Sequence, residues 1–341
     1  MNILFLVTDA YGGHGGIALF NREFCAAIRD AQITVIPRVV RGSIQDLPPH
    51  VTFIAEAANS PVAYLRAVAA ARRAKPDLVI CGHVNLLPIA FGNPLLVVHG
   101  IEAWKKRRLA LSQCRGIVSV SALTRDRLVG WSGYEGETFV LPNAVHREQY
   151  GVREKRKDLI ARYHLEGKRV LLTVGRLDAA ERYKGFDEVL EVMRDLPEDV
   201  VYMIAGGGND ATRLQLRARE LDVASRVIFT GLFADEEKAD LYNLADAYVM
   251  PSRGEGFGFV FLEAMASGVP VIASKLDGGR EALLDGKLGL LVDPTNPAEI
   301  RAAIMETLER GERRVPEGLD YFSFENFSAR SNAIVQSATA S

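Results

Sequence analysis

Cysteine is scarce in this 341-residue chain: Cys25, Cys81 and Cys114 are the three present, widely spaced and odd in number. Such a set makes neither a disulfide framework nor a zinc pattern, and it fits a reducing cytoplasm. Long apolar runs are missing as well. The opening MNILFLVTDAYGG has no basic stretch before its short apolar run, so it reads as a first β-strand, and neither a signal peptide nor a membrane span is expected. Any membrane contact is then expected to be peripheral, at the inner face. An excess of one charge is also lacking. The 41 Lys and Arg against 43 Asp and Glu leave a net charge of −2, which implies no general affinity for nucleic acid. There is no low-complexity tract and no short internal repeat.

What is present is an alternation of apolar runs and helical patterns on a 48% hydrophobic background. In the first half the strand candidates are Ile3–Thr8, Thr34–Arg38, Val51–Ala55, Leu78–Cys81, Leu95–Val98 and Gly116–Val120. Helices are predicted near Gly16–Arg29, Pro61–Ala74, Trp104–Gln113 and Ala122–Gly130. The second half repeats the scheme, with strands at Arg169–Val174, Val200–Ala205, Val227–Thr230, Ala247–Met250 and Val269–Ala273. Its helices are predicted near Phe186–Asp195, Thr212–Leu221, Glu236–Asn243 and Val260–Ala266. Continuous Val/Ile/Leu strands separated by helices imply parallel sheets covered on both faces. The length implies two domains. The predicted class is therefore α/β with two Rossmann-like, doubly wound domains facing a central cleft, where ligands meet the carboxyl ends of the strands. The expected division is residues 1–150, residues 151–320 and a terminal segment 321–341.

The most telling stretch is PSRGEGFGFVFLEAMASGVPVIAS, residues 251–274. Glu255 lies in a glycine-flanked loop that runs into an apolar helix, and Glu263 follows eight positions later. A helix start offers free N–H groups and positive dipole to a phosphate. Gly254, Gly256 and Gly258 let the backbone approach such a ligand. The two carboxylates would then grip two hydroxyl-bearing parts of one molecule. The stretch resembles the E-x7-E signature of retaining, nucleotide-sugar-dependent glycosyltransferases of the GT-B fold, family 4.

Other segments carry the same resemblance. VGRLDAAERYKGFDEVL resembles the family's GR-x-KG element, with an insertion before the lysine. A guanidinium fork at Arg176 and an ammonium at Lys184 suit a diphosphate, with Arg182 as an alternative to Lys184. The turn Ala205–Asn209, with Gly206 and Gly207, would line the nucleotide pocket, and the loop at Leu232 would read the base through its backbone. Gly256, Phe257 and Gly258 would stand at the donor. In the first half, YGGHGGIA places Gly15 and Gly16 where the family carries a Gly-Gly loop. His99 and Gly100 follow a buried strand where family members have a histidine, and His99 would donate to a sugar hydroxyl. Glu102 would bond an acceptor hydroxyl. Pro142–Val145 matches the inter-domain turn and Asp277–Glu281 the GG-x-E element. Gly289–Pro294 matches the closing strand, and FSFENFSARSNAIV matches a last helix that crosses back to the first domain.

The resemblance implies a retaining hexosyl transfer from a nucleoside-diphosphate sugar, UDP- or GDP-linked, to a hydroxyl of a saccharide or lipid-linked acceptor in polysaccharide or glycolipid synthesis. His99, Arg176, Lys184 and Glu255 would be catalytic, and Glu263 would hold the ribose. No cofactor is expected, and no metal, because a DxD-type motif is absent and Asp235-Glu236-Glu237 reads as a helix start. Trp104 followed by Lys105, Lys106, Arg107 and Arg108 suits an anionic membrane surface or a lipid diphosphate, and a solvated helix face would look the same. Three other readings stay open. The first is an epimerase or phosphorylase on the same fold, and the second a catalytically silent sugar-nucleotide binder. The third is an NAD-dependent oxidoreductase, since Gly13, Gly15 and Ala18 satisfy G-x-G-x-x-A. That last reading wants an acid at the end of the second strand, where the chain has Ile36-Pro37-Arg38 instead.

Overall fold

A computed structural model describes residues 1–44, 46–106 and 108–340. The chain forms two compact units: one holds Met1–Ala144 and Phe324–Ser341, the other Val145–Ser323. The passage falls after Ala144 because the next residues are tied to the second unit. Val145 N–H donates to the Phe322 carbonyl at 2.8 Å, and Gly151 N–H to that of Ala266 at 3.0 Å.

Among the described residues, the first unit is built on seven parallel strands: β1 Asn2–Val7, β2 Gln32–Pro37, β3 Val51–Phe53, β4 Leu78–Cys81, β5 Leu95–Val98, β6 Gly116–Ser119 and β7 Glu137–Val140. Their spatial order is β3-β2-β1-β4-β5-β6-β7. The second unit has six, also parallel: β8 Arg169–Val174, β9 Val200–Ala205, β10 Val227–Gly231, β11 Ala247–Met250, β12 Val271–Ser274 and β13 Leu290–Val292, in the order β10-β9-β8-β11-β12-β13. The order reverses direction between β1 and β4 and again between β8 and β11. In an open parallel sheet these are the switch points where ligands bind.

Burial follows position in the sheet. Central strands such as Leu95–Val98 and Val200–Ala205 are buried at every residue, whereas the edge strands Glu137–Val140 and Val227–Gly231 are not. Covered central strands need apolar side chains on both faces, which is why they show as continuous runs. The helices that cover them start and stop by capping. Ser60 caps Pro61–Arg73, its hydroxyl accepting from the Ala63 N–H at 3.3 Å. Ser121 does the same for Ala122–Ser132, which ends at Gly133 with left-handed φ of 66°. Replacing such a cap by alanine costs about 1 kcal/mol. The final helix, Phe324–Ala340, belongs to the first unit, where the Ser328 hydroxyl and the Asn332 amide both donate to the Ala27 carbonyl.

One predicted element is displaced. In place of a helix over Trp104–Gln113 there is a short one at Ile101–Trp104, and a single turn follows later at Leu111–Gln113. Lys105 leaves helical backbone, at φ −90° and ψ 132°. A run of cations at successive positions offers no apolar stripe to hold a helix down.

Candidate functional site

Beyond the switch point of the second unit, two loops are zipped together. The loop after β8 turns through a short 3-10 segment, Ala179–Lys184, and the loop after β11 carries Glu255. Arg253 N–H donates to the Tyr183 carbonyl at 2.7 Å. Gly185, with φ of 88°, lies so close to Pro251 that an added Cβ would stand 2.6 Å from that residue's carbonyl oxygen. This contact puts Lys184 beside Glu255, with Nζ 2.6 Å from Oε1. Both side chains are mostly buried, at 15% and 14% exposure. Burial works to lower the ammonium's pKa, but Glu255 and Glu181 outweigh it and hold Lys184 above the usual lysine range.

Arg176 follows β8 and is 68% exposed. It pairs with Glu181, whose other carboxylate oxygen lies 3.7 Å from Lys184 Nζ. Two of the predicted cations are therefore brought together with Glu255, through an acid that sequence reasoning passed over. Arg182, the alternative to Lys184, instead points to Asp210 at 3.4 Å.

Asp277, after β12, binds the Glu255 loop from behind. Its Oδ2 accepts from the Glu255 N–H at 2.9 Å and its Oδ1 from the Gly279 N–H at 3.0 Å. Burial pushes its carboxyl up to about 7. An unfolded aspartate releases its proton near about 4. Between those values the native chain binds more protons than the unfolded one, so stability falls as pH rises. Asp277→Asn removes this term. Relative to wild type, the variant should gain about 1–3 kcal/mol between pH 5 and pH 8. Urea unfolding at the two pH values measures it, and a constant difference would show that Asp277 ionises normally.

Glu263 sits about one turn into the helix Phe259–Ala266 and is 3% exposed. Its oxygens are held by Lys238 Nζ at 2.5 Å and the Tyr242 hydroxyl at 2.7 Å. Burial, and then the Glu263 charge, push the Tyr242 hydroxyl far up, so it stays a donor. Lys238 had no sequence signal, being 25 residues from its partner. Phe257 is buried against Phe322, with ring centroids 5.5 Å apart. Gly256 lies beside Gly278, and Gly258 caps the helix start. Gly206 bridges to Gly231, and Gly207 lies under the side chain of Leu232, which is 88% exposed.

In the first unit, Gly15 and Gly16 open the helix Gly16–Ala27 at the end of the β1 loop. His99 follows β5, and its Nε2 lies 3.0 Å from the Gly82 carbonyl oxygen. A carbonyl only accepts, so Nε2 carries the hydrogen. Burial lowers the pKa of the ring, leaving Nδ1 as an acceptor. The sequence reading has His99 donating to a sugar hydroxyl; with Nε2–H committed to Gly82, the ring nitrogen left over is an acceptor. Glu102 turns back onto the loop, taking the N–H groups of His99 and Gly100 at 2.5 and 3.0 Å. Trp104 also turns inward. Its indole N–H donates to Thr124 Oγ1 at 3.0 Å, and the Arg127 guanidinium stacks 3.9 Å from its ring. Lys105, Lys106 and Arg108 are exposed, and Arg107 lies outside the described residues.

Two parallel, doubly wound units with glycine-rich loops at their switch points define a Rossmann-like α/β protein of GT-B type. The fold of the Anabaena protein HepE, solved with UDP and glucose, is similar over 98% of this chain and 99% of that one, with a TM-score of 0.80 at 20% identity. Residues 155–316, within the second unit, match the family described as glycosyl transferases group 1. A relative from Mycolicibacterium smegmatis, a GDP-mannose-dependent alpha-(1-6)-phosphatidylinositol monomannoside mannosyltransferase, is 32% identical over 211 residues. The match takes in 60% of this chain and 55% of the relative. The protein of the same description from Mycobacterium tuberculosis is 31% identical, over 66% of this chain and 62% of its own. The chain thus spans little more than half the length of these curated relatives.

Proposed function

We propose that the protein is a retaining glycosyltransferase that moves a hexosyl group from a nucleoside-diphosphate sugar to an acceptor hydroxyl. The observation that carries this reading is the placement of Lys184 against Glu255 at the β8/β11 switch point, with Glu263 buried on the helix that follows. In this reading the diphosphate lies on Arg176 and Lys184, and charge-assisted hydrogen bonds strengthen as the leaving group gains charge. Glu255 positions the donor sugar and Glu263 the ribose. The bond from the anomeric carbon to the diphosphate breaks, and one to the acceptor oxygen forms on the same face. The acceptor's proton passes to the departing phosphate. GDP-mannose is the first donor to test, given what the relatives' names say, and UDP-glucose the second, given the ligands in HepE. A lipid-linked acceptor follows the same lead. We propose no metal requirement, so turnover should survive chelation. The test is to incubate the protein with each donor, with and without lipid and saccharide acceptors, and to measure nucleoside diphosphate release and the anomeric configuration of the product. Release of neither UDP nor GDP with any acceptor would refute the reading.

Among the described residues no helix is long and apolar enough to cross a membrane. We propose that the first unit meets anionic lipid through exposed cations: Lys105, Lys106 and Arg108, with Arg66, Arg72 and Arg73 on the helix Pro61–Arg73. That helix also exposes Val62 and Leu65, at 57% and 51%. Each cation near an anionic surface contributes about 1 kcal/mol. In flotation the protein should rise with phosphatidylglycerol vesicles and not with neutral ones, and changing Arg66, Arg72 and Arg73 to glutamine should abolish it. Equal recovery on both vesicle types would remove the idea.

A further inference from the structure

The cations assigned to the diphosphate are already neutralised inside the protein. Arg176 pairs with Glu181, and Lys184 lies between Glu181 and Glu255. Glu255 belongs to the donor-sugar end of the site, but Glu181 has no such task. It comes from the residues between Arg176 and Lys184, and its backbone breaks the local helix at φ −113° and ψ 28°. One of its carboxylate oxygens is buried without a hydrogen-bond partner, 3.7 Å from the Lys184 ammonium. A buried carboxylate oxygen left without a hydrogen bond is unfavourable unless nearby positive charge compensates it. The base of the turn is firmly tied by comparison. Asp178 accepts from the Ala180 N–H at 3.0 Å, and Asn209 Oδ1 from the Ala179 N–H at 2.8 Å. The base of the turn is therefore held by bonds that do not involve the Glu181 side chain.

We propose that Glu181 is a built-in counter-ion for the diphosphate subsite: it occupies the space between Arg176 and Lys184 and must swing out for a nucleoside diphosphate to bind. This deepens the glycosyltransferase reading and rests on it. The carboxylate keeps two neighbouring cations from repelling each other when the site is empty. It also competes with bound diphosphate and so sets how tightly donor and released product are held. A diphosphate outcompetes it because it brings more charge and more acceptor oxygens to the same two cations.

The test is calorimetric titration of UDP, GDP and the corresponding nucleosides into wild type, Glu181→Gln, Glu181→Ala and Lys184→Ala, each first checked for wild-type melting. Both Glu181 variants should bind whichever diphosphate the wild type binds about tenfold more tightly. Nucleoside binding should be unchanged, and Lys184→Ala should bind the diphosphate at least about tenfold more weakly. Weaker diphosphate binding in Lys184→Ala together with unchanged or weaker binding in both Glu181 variants would overturn the counter-ion role and leave the glycosyltransferase reading standing. Unaltered diphosphate binding in Lys184→Ala would bring down that reading and the inference with it.

Discussion

Lys184→Ala is expected to lower kcat for sugar transfer by about 10²–10³, the loss that follows removal of one donor facing a developing charge. The geometry explains why so much should rest on one ammonium. The side chain is held on both sides, by Glu255 at 2.6 Å and by the fit of Gly185 under Pro251, so it reaches the site already oriented. A preorganised, partly buried cation stabilises charge without reorganising at the moment of reaction. The exposed Arg176 is freer, and its loss should be smaller. Lys184→Met keeps the apolar stem and removes only the charge, so it separates catalysis from packing. Steady-state kinetics with the active donor decide the matter. If kcat stays within a factor of three in both Lys184 variants, the cation acts elsewhere.

Much of this architecture was legible in the sequence. Central strands such as Val200–Ala205 are buried on both faces and therefore read as unbroken apolar runs. Edge strand Glu137–Val140 carries one charged and three half-buried residues, so it left no such run. The Glu255 to Glu263 spacing was visible because one loop and one helix carry both acids. Their partners were not, because pairing is set by tertiary contact. Lys238 meets Glu263 only through the packing of two separate helices, and Asp277 meets Glu255 across neighbouring strands. Glu181 lies in the insertion before Lys184, where no motif marks it, and only the turn of the loop after β8 shows it between two cations. His99 was found as a residue, but its tautomer depends on the carbonyl of Gly82, 17 positions away.

Gly278→Ala should damage the site more than it damages the fold. Gly278 has ordinary backbone, φ −65° and ψ −13°, so alanine introduces no torsional strain there. The difficulty is space. An added Cβ would lie 2.0 Å from the Gly256 carbonyl oxygen and 2.9 Å from that of Glu255. Both are main-chain atoms, so the loop after β11 must move away from the loop after β12. That movement strains the bond from the Gly278 N–H to the Glu255 carbonyl, 2.8 Å in the intact protein, and the two held by Asp277. Overpacking of this kind costs about 1–3 kcal/mol of stability. Turnover should fall further, on the order of 10²-fold, because a shift of about 1 Å in a positioning residue is enough. Gly130→Ala is the matched control. It lies in the helix Ala122–Ser132 with nothing within 4 Å of its added Cβ, and it should stabilise by about 0.5–1 kcal/mol with activity intact. Thermal melts and kcat measured on both variants test the pair. A Gly278→Ala protein that melts lower yet turns over at the wild-type rate would mean that the Glu255 loop is not part of the working site.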